Sequence, residues 1–128
     1  MILSFKPQFI SKILDGSKIH TIRADKHNRW EAGLKIQFAT GARTKHYRCF
    51  KEGVCTGVQD IKIKWSRKLR HIQIVIDGDK RLYNFEEKDQ IAINDGFQYW
   101  NDLLNFFFPN YRSGTFRGKI IHWTNFKY

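Results

Sequence analysis

The chain has 128 residues, 41% of them apolar and 16% aromatic, which suffices for one domain with a real core and is too little for two. Lys and Arg number 23 against 12 Asp and Glu, so the formal charge is +11 and composition points to a polyanionic partner. Disorder as the default is excluded, and so is a disulfide scaffold, because cysteine occurs only at positions 49 and 55.

The charge is uneven. Residues 1–64 carry 13 basic and 5 acidic side chains, whereas residues 65–128 carry 10 and 7. The N-terminus lacks a signal-peptide pattern, and no run of about 18 apolar residues occurs. The expectation is therefore a single intracellular, cytoplasmic domain over residues 1–128 with no membrane contact.

Met1 to Phe5 is predicted as a first strand. Pro7 suits the first position of a helix, where its missing N–H would have no partner in any case. Phe9, Ile10, Ile13 and Leu14 fall on one helical face, and Gly16 supplies a left-handed stop, so the helix ends near Asp15. Lys18 to Arg23 holds the β-branched Ile19, Thr21 and Ile22 and is predicted extended, with Thr21 and Arg23 on one face. His20 then points away from Thr21. Leu34, Ile36 and Phe38 alternate with Lys35, Gln37 and Ala39 in the period of a half-buried strand, and Ile61 to Ser66 repeats that pattern. Cys49 and Cys55 lie in a strand-like segment, at neither disulfide nor zinc spacing, and are expected as reduced, buried thiols.

Ile72 to Ile76 and Arg81 to Phe85 flank Asp77-Gly78, a pair suited to a tight turn with positive φ, which predicts a hairpin. Glu86 to Asn94 is predicted as a helix stopped by Gly96, and Gln98 to Phe108 as another ended by Pro109. Phe116 to Trp123 returns as a closing strand. This order describes an α+β fold, a mixed, curled sheet or small barrel capped by about three short helices.

The segment Gly16-Ser17-Lys18-Ile19-His20-Thr21-Ile22-Arg23 resembles the G-x-K-x-x-(E/T)-x-R signature of the ASCH family, a branch of the PUA-like superfamily. The match lies at the end of the first helix, as in that family. Ile91 to Phe97, in which Asp95 precedes Gly96-Phe97 and an aromatic helix follows, is similar to the family's second region. The resemblance implies a PUA-like β-barrel with a cleft between barrel and helices that binds RNA or a modified nucleoside. Gly16, Lys18, Arg23 and Asp95 would bind the ligand. In a subgroup of small N(4)-acetylcytidine amidohydrolases, a Lys, a Thr and a Glu do the chemistry. Lys18 and Thr21 match the first two, and Asp95 stands where that subgroup has Glu. The missing methylene shortens the reach by about 1 Å, enough to cost roughly 100-fold in rate.

From the residues themselves, Thr21 could serve as nucleophile and Lys18 as base if burial and Arg23 lowered its pKa, with Asp95 opposing that shift. Binding asks less: cations at Lys18 and Arg23, and an acceptor at Asp95 for an exocyclic amine. Three functions stay open: a binding domain, a metal-independent amidohydrolase, and a phosphate-steering adaptor with no cleft chemistry. Arg29 and Trp30, together with Arg43, Lys45, Tyr47 and Arg48, mix cations and aromatic rings as RNA-contacting surfaces do. His27, His46, His71 and His122 show no metal-ligand spacing, so neither metal nor cofactor is expected. Phe106, Phe107 and Phe108 cannot all face one core, which leaves one ring for a partner chain, a second copy included.

Overall fold

A computed structural model describes residues 1–128, which form seven strands in two sheets with three α-helices. Strand β1 (Ile2–Ser4) leads through a 3-10 turn (Pro7–Phe9) into α1 (Ile10–Asp15), followed by β2 (His20–Arg23). Strands β3 (Lys35–Thr40), β4 (Arg48–Val54), β5 (Gly57–Ser66) and β6 (His71–Ile76) come next. Helices α2 (Phe85–Asn94) and α3 (Trp100–Phe107) and a 3-10 turn (Pro109–Tyr111) precede β7 (Gly114–His122).

The first sheet has the order β1-β3-β4, with β1 parallel to β3, and the second the order β2-β7-β5-β6, antiparallel throughout. The α+β class, the mixed pairing and the three helices agree with the sequence. The strands do not close into a hydrogen-bonded ring: no strand of one sheet pairs with a strand of the other, and β1 and β2 are among the open edges. Side chains span that seam instead, Arg23 on β2 donating to the Ser4 carbonyl on β1.

Alternation along β7 sends neighbouring side chains to opposite faces of the second sheet. Ile120 joins Ile22, Ile61, Ile63 and Ile74 against Ile91, Leu103 and Leu104 of α2 and α3. Ile121 faces the other way, against Leu3, Ile36 and Phe38 of the first sheet and Ile13 of α1. The second sheet is therefore the shared wall of two cores.

Two local expectations need correction. Asp77 and Gly78 do take positive φ (51° and 78°), and the Asp79 amide bonds back to the Ile76 carbonyl at 2.9 Å. Beyond a single bridge between Ile76 and Asp79, however, residues 81–85 form no return strand. A competing cap draws this segment away: the Asn84 side chain accepts from the Glu87 amide at 2.8 Å, and the Glu87 carboxylate accepts from the Asn84 amide at 3.2 Å. Helix α2 consequently begins at Phe85, inside the expected strand, and the hairpin that forms is β5–β6. Burial holds for only one of the two thiols. Cys55 is buried but Cys49 is exposed, because β4 is an edge strand whose register with β3 shifts between Phe38 and Ala39.

Candidate functional site

Two chain reversals bring the site together. Helix α1 stops at Gly16 (φ 86°), and the Lys18 amide then returns to the Lys12 carbonyl at 2.9 Å, so that Lys18 turns inward. The Ile19 amide binds the Asn94 carbonyl at 2.8 Å, fastening the start of β2 to the end of α2. At that helix end Asp95 is the C-terminal cap, and Gly96 follows with φ 93°. A Cβ on Gly96 would lie 2.8 Å from Lys18 Cδ and 2.9 Å from the Phe9 ring, so glycine is required by space as well as by backbone conformation.

Lys18 is only 2% exposed. Its Nζ donates to the His20 carbonyl at 2.9 Å and to the Asp95 carbonyl, two acceptors that fix two of its three donor directions. The third is shared between Asp95 Oδ1, at 3.5 Å, and the cavity that Lys18 lines. The Phe5 and Phe9 rings stand 5.6 and 5.1 Å from the ammonium. Burial pushes the Lys18 pKa down to about 8, with Asp95 opposing the shift and Arg23 reinforcing it. Arg23 donates from Nε to Thr21 Oγ1 at 3.1 Å, so the two share a face as expected, and its guanidinium stacks 5.0 Å from the Phe5 ring centre. Burial also lowers the Arg23 pKa.

His20 points away from Thr21, as alternation requires, yet it is part of the site. Its Nδ1–H donates to Asp95 Oδ1 at 3.2 Å, and its Nε2 accepts from the Tyr128 hydroxyl at 2.6 Å. Tyr128 in turn accepts from Asn94 Nδ2 at 3.1 Å, and Asn94 Oδ1 from Gln90 at 2.7 Å. This order of donors follows from the Asp95 carboxylate, which can only accept. Burial holds the His20 pKa below its ordinary value and raises that of Tyr128. Behind His20, His122 Nε2 donates to Gln59 Oε1 at 2.9 Å, while its buried Nδ1 has no partner. Burial first, then His20 and Lys127, push the His122 pKa down to about 3. Sequence reasoning missed His20, Asn94 and Tyr128. The available signal was the polar residue at an inward position of a short strand; Tyr128, far along the chain, gave none.

Above this cluster opens a cavity of about 410 Å³ whose polar lining includes Lys18, Thr21, Arg23 and Asp95, with Phe5, Phe9, Phe97, Phe106 and Phe107 as walls. It occupies the seam where β1 and β2 fail to pair. Asp95 makes both of its side-chain contacts through Oδ1, which leaves Oδ2 without a protein partner beside the cavity. Gly16 does not line it; this residue is exposed and acts as the turn that delivers Lys18. Of the three consecutive phenylalanines, Phe108 is in the core, while Phe106 and Phe107 face the cavity.

The remaining cations stand outside. Arg43, Lys45 and Tyr47 in the β3–β4 connection and Arg48 at the start of β4 are exposed, and that connection follows Thr40, next to Ala39, the strand partner of the cavity-lining Ser4. Arg29 is exposed, and Trp30 is half-buried against the second core, with Asp25 accepting from both backbone amides at 2.9 and 3.2 Å. No three His, Cys, Asp or Glu side chains come together in metal-binding geometry, and no helix is long and apolar enough to cross a membrane. Compared with family models, curated proteins and solved structures, the chain matches none of them.

Proposed function

We propose that this is an ASCH-type, PUA-like domain whose cavity takes the base of RNA or of a modified nucleoside. The observation that carries this reading is the unpartnered Asp95 Oδ2 beside the Arg23 and Thr21 donors in a cavity walled by phenylalanine rings. The rings supply faces for a flat heterocycle to stack on. One free acceptor next to donors complements a base edge that presents an exocyclic amine beside ring acceptors, as cytosine does. Lys18 holds Asp95 in place and sets the local charge. Arg29, Trp30, Arg43, Lys45, Tyr47 and Arg48 are the candidate outer contacts for RNA. Titration calorimetry tests this reading: cytidine is expected to bind at least about tenfold tighter than uridine, which lacks the amine, and Lys18→Ala to weaken cytidine. Equal affinities for the two nucleosides would defeat it.

A second function is favoured by the Lys18 pKa near 8 and by the Thr21 hydroxyl accepting from Arg23. In N(4)-acetylcytidine hydrolysis, Thr21 Oγ would attack the acetyl carbon, its proton passing to neutral Lys18 and then to the departing N4. Water would release acetate from the Thr21 ester. Turnover is expected to rise with pH through about 8, to vanish in Thr21→Ala and to increase in Asp95→Glu. If neither wild type nor Asp95→Glu releases acetate, the cavity binds without hydrolysing.

A further inference from the structure

The second sheet leaves part of one face uncovered. Its other face packs under α2 and α3 through Ile61, Ile63 and Ile120, whereas Asp60, Lys62, Arg117 and Lys119 alternate to the open side. On that side the first sheet covers only the end at Val58 and Ile121. Farther along, Lys64 and Arg117 are exposed, and Lys62 and Lys119 are half-buried.

Register sets Lys62 directly opposite Arg117, and Arg23 directly opposite Lys119. Like charges in facing positions weaken a sheet. No carboxylate lies within ion-pair distance of Lys62, Lys64 or Arg117. The two acids nearby are already engaged: Asp60 pairs with Lys119, and Asp25 accepts from the amides of Arg29 and Trp30. Lys26, Lys62, Arg117 and Lys119, together with Asp25 and Asp60, border a groove of about 500 Å³. Lys62, Lys64 and Arg117, which pairing does not need and no internal acid neutralises, are suited to an external anion. Arg23 links the two places, since it lines the cavity and its strand position faces Lys119.

We propose that this open face carries the phosphates of a single-stranded polynucleotide, one of whose bases occupies the cavity. The proposal rests on the nucleobase reading of that cavity and adds the path of the strand's backbone across the open face of the second sheet. A base enters a cavity only when unstacked and unpaired, so a duplex is not the partner. Lys62 and Arg117 give two phosphate contacts, Lys64 a third, and Arg23 stands where strand and base meet.

The test compares wild type with Lys62→Gln/Arg117→Gln, using a fluorescein-labelled mixed-sequence RNA of about 12 nucleotides, long enough for one binding face. Each single-strand phosphate contact contributes about 0.7 to the slope of log affinity against log salt, so the double variant is expected to lose about 1.4 of that slope. Its RNA affinity near 50 mM salt should fall about tenfold or more, with cytidine affinity unchanged. Lys64→Gln, at an exposed position, should lose about half as much slope and provides the same test should the double variant not fold. An unchanged slope in both variants, equal binding of the duplex, or no RNA binding by wild type at low salt would overturn the proposal. So would an equal variant-dependent loss on phosphatidylserine vesicles, which would assign the face to an anionic membrane. Failure of the cavity reading shows separately, as cytidine and uridine binding alike while the RNA slope still responds to Lys62 and Arg117.

Discussion

The cavity floor and the β3–β4 connection are both basic, yet they treat charge in opposite ways. Lys18 is taken out of water and Arg23 partly so, and each is held by named acceptors: two carbonyls and Asp95 for Lys18, Thr21 and the Ser4 carbonyl for Arg23. Arg43, Lys45 and Arg48 remain exposed, without a carboxylate partner. Removing an ammonium from water costs several kcal/mol unless its geometry is well compensated, whereas an exposed cation costs almost nothing. Buried charge is therefore held in one geometry by its acceptors, whereas the exposed cations are not fixed by any carboxylate. The comparison also explains why Asp95 is so central: it is the one carboxylate in contact with Lys18.

The contrast breaks most sharply at Asp95. Asp95→Ala leaves Lys18 buried without its counter-charge and His20 Nδ1 without an acceptor, and chemical denaturation should show a loss of about 3–5 kcal/mol. Two glycines of similar φ sharpen the comparison next. At Gly78 a methyl group meets nothing within 4 Å, so Gly78→Ala should cost only the backbone strain of about 1–2 kcal/mol. Gly96→Ala bears the same strain and also presses on Lys18 and Phe9, adding about 1–3 kcal/mol and weakening cytidine.

Proton uptake gives an effect graded with pH. His122 has a folded pKa of about 3 against an ordinary 6.5, so between these values the unfolded chain binds a proton that the native protein refuses. Stability should therefore fall as pH drops through this window, by at most about 1.4 kcal/mol per pH unit. Lys18 acts at the alkaline end. Its folded pKa of about 8 lies below the ordinary 10.5, so wild type should gain stability between these values relative to Lys18→Ala. Thermal melts of both proteins across pH 3 to 10.5 would show the two windows. The smallest effect is expected at the exposed end: Arg43→Gln/Lys45→Gln/Arg48→Gln should shift stability by less than about 0.5 kcal/mol per site and leave cytidine affinity unchanged, while lowering RNA affinity.

Much of this was legible in sequence because it depends on short-range rules. Alternation placed Thr21 and Arg23 on one face, and Gly16 ended α1 where the pattern predicts. The signature spacing led to Lys18, Thr21, Arg23 and Asp95, which do share one cavity. The misses involve competition or distance. Asp77-Gly78 makes its turn, but the Asn84–Glu87 cap outcompetes a return strand for the residues that follow. His20 and Tyr128, 108 positions apart, meet only through the tertiary fold, and no local pattern encodes their hydrogen bond. Gly16, expected to bind the ligand, does not touch the cavity, because its task is conformational.

The central claim is that one base sits on the Lys18–Asp95 floor. The most direct measurement is a two-dimensional amide NMR titration of the wild-type protein with cytidine. The expected result is saturable shifts concentrated at Lys18, Thr21, Arg23, Asp95 and Phe97, with residues 41–48 unmoved. Shifts confined to residues 41–48, or spread without saturation over the basic surface, would contradict it.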